Sequence, residues 1–198
     1  MTDKRKTFMN LPRFNAAPLL IAVLCVLLLG SCGTLTGPIS EDYGKRTLGT
    51  VWDDQMVESR GISLIRNESP ELKEAHINIT SFNGTVLVSG QVPSEAAKTA
   101  AAAAIQNLRK VKKIHNELEV AGPTSTMARA NDSYLTAKVK TALLLNGDTE
   151  ALRIKVVTEN NVVYLLGLVT RAESDAVVET ARSVFGVQKI VKAFEYIN

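Results

Sequence analysis

The strongest constraint on this chain is that it repeats itself. Residues 78–92 (NITSFNGTVLVSGQV) line up with residues 155–169 (KVVTENNVVYLLGLV) at an offset of 77, which places Gly90 on Gly167. Further along, Val111-Lys112-Lys113-Ile114 matches Val187-Gln188-Lys189-Ile190 at an offset of 76. Solenoid repeats run to about 20–50 residues, so a period this long implies two tandem domains.

Both copies order their elements alike. A helix is expected over 54–66 and again over 132–145. Two alternating runs follow, joined by Asn83-Gly84 or Asn160-Asn161, residues that tolerate positive φ and so signal a tight hairpin. A second helix is predicted over 94–110, started by Ser94 after Pro93, and over 172–185, where Thr170-Arg171-Ala172-Glu173 fits a capping box. A last strand, 112–120 or 188–197, closes each copy. Strand–helix–strand connections are right-handed crossovers, so each unit should be a small mixed three-stranded sheet with two helices on one face. The matched glycines suggest a bulge or a close backbone approach. The fold class expected is therefore α+β, in the order helix-strand-strand-helix-strand, taken twice. The first domain is placed at 47–121, a linker containing Gly122-Pro123-Thr124-Ser125-Thr126 at 122–130, and the second domain at 131–198.

Ahead of the repeat lies a different kind of segment. Lys4, Arg5, Lys6 and Arg13 precede a mostly apolar stretch from Ala16 to Leu29, too short to span a bilayer comfortably. A charged start followed by a short apolar run reads as an export signal over 1–31. It ends in Leu29-Gly30-Ser31-Cys32, which resembles the lipobox of bacterial lipoproteins. That resemblance implies cleavage before Cys32, a diacylglycerol on its thiol and a further acyl chain such as palmitate on its new amino group. By the same resemblance Gly33, where an aspartate would signal retention at the inner membrane, implies the outer membrane and its periplasmic face. Residues 32–46, rich in Gly, Pro, Ser and Thr, read as a tether. Its roughly 14 residues after the cysteine reach about 45 Å when fully extended, which keeps the folded part near the bilayer.

Removing the signal changes the charge argument. The whole chain carries a formal +3, but residues 32–198 hold 19 charges of each sign. A basic pI therefore gives no reason to expect nucleic acid. Cys25 leaves with the signal and Cys32 becomes a thioether, so no disulfide is expected. The 167 residues that remain must be held by their cores alone.

The element order, with a glycine late in each second strand, resembles the BON domain. A lipidated start, a short tether and two such domains are similar to the dual-BON-domain outer-membrane lipoproteins of Gram-negative bacteria. Arg46-Thr47-Leu48-Gly49-Thr50 and Gly167-Leu168-Val169-Thr170 also look like that family. The resemblance implies a non-enzymatic binder of anionic phospholipid, without cofactor, that supports envelope integrity, cell division and outer-membrane protein assembly. It also implies lipid contact by the first helix of the second domain, with an inserting aromatic at Tyr134.

The helix at 132–145 can be read independently. At about 100° per residue, Leu135, Val139, Ala142 and Leu143 form a core face. The other side carries Tyr134, Ala137, Thr141, Leu144 and Leu145, flanked by Lys138 and Lys140. Apolar groups beside ammonium groups suit an interfacial helix. A competing reading packs Tyr134, Leu144 and Leu145 against the first domain. Phe82, at the hairpin tip, is a second candidate for membrane contact or for interdomain packing.

In the first copy, Val57, Gly61, Leu64 and Ile65 are expected to be buried, with Ser59, Arg60 and Ser63 outside and Met56 the main apolar exception. By this reading an apolar and basic outer face belongs to the second domain only. Trp52 is expected to anchor the tether, Asp53-Asp54 to cap the first helix, and Glu71 and Glu74 to be solvated on a turn. The run Lys110, Lys112, Lys113 reads as a solvated face. Two histidines in strands, with no HExxH, Cys pair, GxSxG or glycine-rich phosphate loop, point away from catalysis. A protein–protein adaptor for an outer-membrane assembly machine is the alternative function.

Overall fold

The computed structural model describes residues 46–197, all within one compact unit. The export signal, Cys32 and nearly all of the tether lie outside the described residues. The elements run α1 (Leu48–Glu68), α2 (Pro70–Glu74), β1 (His76–Phe82), β2 (Thr85–Val92), α3 (Glu95–Gln106) and β3 (Lys113–Val120). The second half gives α4 (Thr126–Leu145), a single 3-10 turn at Ala151–Arg153, β4 (Ile154–Glu159), β5 (Val162–Val169), α5 (Arg171–Arg182) and β6 (Lys189–Tyr196).

Each half forms a three-stranded mixed sheet with β2 or β5 in the middle, antiparallel to its hairpin partner and parallel to the last strand. The α+β class and the element order are those expected. The hairpins turn on Asn83 (φ 53°) and Gly84 (φ 81°), and on Asn160 (φ 50°) and Asn161 (φ 61°). Positive φ at both positions is the type I′ geometry that matches strand twist. The predicted capping box at Thr170 and Glu173 is formed, and Ser94 caps α3.

Gly90 shows why a glycine is needed late in the second strand. Its φ is 124°, and a Cβ there would lie 2.0 Å from the His76 carbonyl oxygen. Ladder pairing continues through it, with Gly90 opposite Ile77, so the requirement is close approach and not a bulge. Gly167 is milder, with 2.9 Å from an added Cβ to the Arg153 carbonyl.

Alternate residues of the central strands face opposite ways, and both faces are buried. Val86, Val88 and Val92 meet Val57, Ile65, Ala101 and Ile105 of the helices; Val163, Leu165 and Val169 meet Val139, Leu143, Val177 and Ala181 in the second half. On the reverse faces, Phe82 and Leu87 pack with Tyr164, Leu166 and Ala193. The sheets thus lie back to back between outer helices. The interface also carries polar bonds: Gln91 Nε2 donates to Glu159 at 2.9 Å, Asn83 Nδ2 to Glu195 at 2.8 Å and Lys155 Nζ to Glu58 at 2.6 Å.

Four local expectations need correction, the first being that α3 and α5 end at Gln106 and Arg182, short of the expected 110 and 185. Both first helices start six residues earlier than predicted, at Leu48 and Thr126, because Thr47 and Ser125 are the N-caps, accepting from Thr50 N and Ala128 N. Asp54 therefore caps no helix. Leu64 is 41% exposed, since Asp54, Val57, Gly61 and Ile65 take the stripe against the sheet and leave it at the margin. Glu71 and Glu74 are exposed as expected, but on the short helix α2 and not on an open turn.

Candidate lipid-contact site

The site is held in place by a buried aspartate. Asp132, inside α4, accepts from the N–H groups of Asn160 and Asn161 at 2.9 Å each, tying the helix to the β4–β5 turn. Asp54 does the same in the first half, accepting from Asn83 N, Gly84 N, the Ser81 hydroxyl and Arg46 at 2.7–3.0 Å. Burial works against the Asp54 carboxylate, but the bonds from Ser81, Gly84, Arg46 and Asn83 outweigh it and hold its pKa below the ordinary value. The signal was an aspartate at the same place in each copy, 78 residues apart.

With that register set, Leu135, Val139 and Leu143 point into the core. Tyr134 is 65% exposed, Leu144 62% and Leu145 82%. None of the three is covered by the first domain. Lys140 and Thr141 are exposed too, although the Thr141 hydroxyl donates to the Ala137 carbonyl at 2.9 Å. Lys138 is half-buried: its Nζ donates to the Phe185 carbonyl at 2.9 Å and sits 5.6 Å from the Tyr134 ring and 5.8 Å from the Phe185 ring. Tyr134 and Lys138 are therefore joined, while Lys140 and Leu144 lie on the flank of the same helix.

Phe82 is not part of this surface. It is 3% exposed, packed between the sheets, with the Arg46 guanidinium 4.0 Å from its ring centroid. The reason is topological: the last residue of β1 points to the sheet face that its partner sheet covers, so Phe82 does the packing job and not a membrane contact.

Two residues of the surface escaped the sequence reading. Phe185, in the turn after α5, is 91% exposed beside Lys138. A phenylalanine before a glycine at a helix end, where polar residues are usual, was the available signal. Met127 is also exposed, and lies two turns before Tyr134 on the same side of α4, ahead of the helix start expected at 132.

The first half also exposes apolar residues beside basic ones, contrary to expectation. Leu48 and Trp52 on α1 are exposed, and Trp52, Met56, Arg60, Arg109 and Lys110 line one cleft. Trp52 is a residue of the helix itself, since α1 begins before it. Among the described residues no helix is long and apolar enough to cross a membrane, and no group of three or more potential metal ligands occurs.

Residues 53–122 and 131–198 each match the BON domain. The chain belongs to the BON-domain family. It is 33% identical over 174 residues to the outer membrane lipoprotein DolP of Haemophilus influenzae, covering 88% of this chain and 89% of that one. It is also similar to a 21 kDa hemolysin of Actinobacillus pleuropneumoniae, at 34% identity over 77% of this chain and 79% of the relative. The C-terminal domain of CdsD, a structural protein of the type III secretion system of Chlamydia trachomatis, overlays with a TM-score of 0.29 at 16% identity, covering 73% of this chain and 67% of its own. This family of BON-domain lipoproteins is non-enzymatic, and so is this member.

Proposed function

We propose that this BON-domain protein is an outer-membrane lipoprotein, acylated at Cys32 and facing the periplasm, whose second domain binds anionic phospholipid through the outer face of α4 and thereby supports envelope integrity. The observation that carries the reading is the uncovered set Tyr134, Leu145 and Phe185 around Lys138, with Leu144 and Lys140 beside it.

Magnitudes rank the contributions. Two lysines near an anionic surface supply about 2 kcal/mol together. A leucine or phenylalanine withdrawn fully from water supplies about 1.5–3 kcal/mol by itself. The apolar insertion should therefore dominate, with charge selecting anionic membranes. Lys138 is already bonded to a carbonyl, so Lys140 is the more available ammonium. This surface alone is a weak binder, and the acyl anchor raises its effective concentration.

Co-sedimentation of residues 33–198 with phosphatidylglycerol-containing or purely zwitterionic vesicles tests the proposal. Salt-sensitive binding to anionic vesicles is expected, and Tyr134→Glu or Leu145→Glu should abolish it with the fold intact. Binding that both variants retain would sink the assignment of the surface. No binding by the unmodified chain would leave the acyl chains as its membrane contact and favour a protein adaptor.

A further inference from the structure

The first domain carries its own unassigned surface, and it is chemically unlike the second. Leu48, Trp52, Met56 and Arg60 recur every fourth residue, so they form one ridge along α1. Leu48 is 90% exposed and Trp52 69%. Beside the ridge, the turn after α3 brings up Arg109 and Lys110, closing a cleft of about 300 Å³. The cleft holds three cations, Arg60, Arg109 and Lys110, against one carboxylate, Asp53, which Lys110 Nζ approaches at 3.1 Å.

The backbone at Lys110 is a second observation. Its φ is 76°, a region that L side chains rarely occupy, and the matching residue of the second domain is Gly186, with φ 109°. The fold accepts a glycine there. The first domain instead keeps a lysine in a strained conformation at the mouth of a cationic cleft, and such strain points to a use for the side chain.

We propose that this cleft is a second, separate contact for membrane lipid, in which the phosphate of an anionic headgroup sits among Arg60, Arg109 and Lys110 while Trp52 and Leu48 enter the interfacial layer. Charge complementarity selects the phosphate, and an exposed tryptophan beside cations suits headgroup depth. Position supports the same occupant. α1 is the first described element after the tether, and about 14 extended residues allow it no more than about 45 Å from an acylated Cys32. The inference rests on the anchor and not on the α4 surface, with which it shares no residue.

Trp52 is the chain's one tryptophan, so its fluorescence reports this site alone. Residues 32–198 retain a single cysteine, Cys32, which can be coupled to a maleimide-bearing lipid whatever its natural acylation. Vesicles of phosphatidylcholine with phosphatidylglycerol, or of phosphatidylcholine alone, then present the two surfaces, with brominated acyl chains as quenchers. Expected are a blue shift and bromine quenching of Trp52 on the anionic vesicles only. Both should persist in Tyr134→Glu and be lost in the paired Arg60→Glu, Arg109→Glu variant, which changes exposed residues. Free glycerol phosphate should produce no shift. Loss of the signal in Tyr134→Glu would reassign it to the second domain. Unquenched emission on both vesicles, a shift from glycerol phosphate alone, or emission already blue before coupling (the tether in the cleft) would each overturn the proposal.

Discussion

The two BON domains share a scaffold and differ where it faces outward. Helix positions correspond at an offset of 78, so Met56 matches Tyr134, Arg60 matches Lys138, and Arg66 and Asn67 match Leu144 and Leu145. In the turns, Arg109-Lys110 stands where Phe185-Gly186 stands. The second domain thus ends its helix in leucines and sets one lysine between two rings. The first ends its helix in polar residues, moves its aromatic to Trp52 near the helix start, and gathers three cations. Meanwhile the inward features are kept: an aspartate bound to the hairpin turn, a glycine in the central strand and an apolar stripe of the same spacing. Duplication preserved what holds each unit together and let the exposed faces acquire different chemistry.

The central glycines give the sharpest test of that likeness. Gly90→Ala must remove a 2.0 Å clash with a carbonyl and adopt a φ of 124°, whereas Gly167→Ala meets contacts of 2.9 Å. A loss of about 3 kcal/mol or more is expected for Gly90→Ala and about half of that for Gly167→Ala, read by urea unfolding. Equal losses would show that the structural asymmetry has no energetic counterpart.

The aspartates come next. Asp54→Asn weakens four charge-assisted bonds and Asp132→Asn two, so losses of about 3 and about 1.5 kcal/mol are expected. Because the Asp54 pKa is lowered by folding, its stabilisation is complete above the unfolded carboxylate range, about pH 4, and fades as pH falls through the lower folded value. Glu173 is held low as well: its burial is outweighed by bonds from Thr170 and the nearby Arg153. It therefore adds to acid lability with the same sign. Acid titration of stability in Asp54→Asn should be flatter than in the unmodified chain. An unchanged acid limb would remove Asp54 as its cause.

The smallest effect separates stability from function at the first-domain turn. Lys110→Gly relieves a positive φ and should stabilise by about 1 kcal/mol, less whatever the exposed Asp53 pair contributes. If thermal unfolding shows a loss instead, the lysine is structural, and the strain argument for its role in the cleft fails.

Much of this is legible in the sequence. Period-2 alternation marked the hairpin strands, Asn83-Gly84 and Asn160-Asn161 marked their turns, and the 3.6-residue stripe marked Leu135, Val139 and Leu143 as core. Helix starts were not legible, because Asp54 and Asp132 look like N-caps and lie just before the apolar stripes. Their real partners are turn amides about 28 residues later in the chain, and Thr47 and Ser125 do the capping. Helical periodicity marks the exposed side of α4, yet its neighbour Phe185 lies 47 residues from Lys138 and no local pattern joins them.

Phe82 draws the line between the two levels. Local patterning established that it closes a strand before a type I′ turn, because turn chemistry and alternation depend on adjacent residues. Its burial was decided only when two sheets met back to back over Leu87, Tyr164 and Leu166. The order of the elements, their inward stripes and the duplication follow from short-range periodicity along the chain. Which outward faces are covered and which stay open follows from contacts between elements far apart in sequence. Tertiary packing therefore withdrew Phe82 from the surface and left Trp52, Tyr134 and Phe185 upon it.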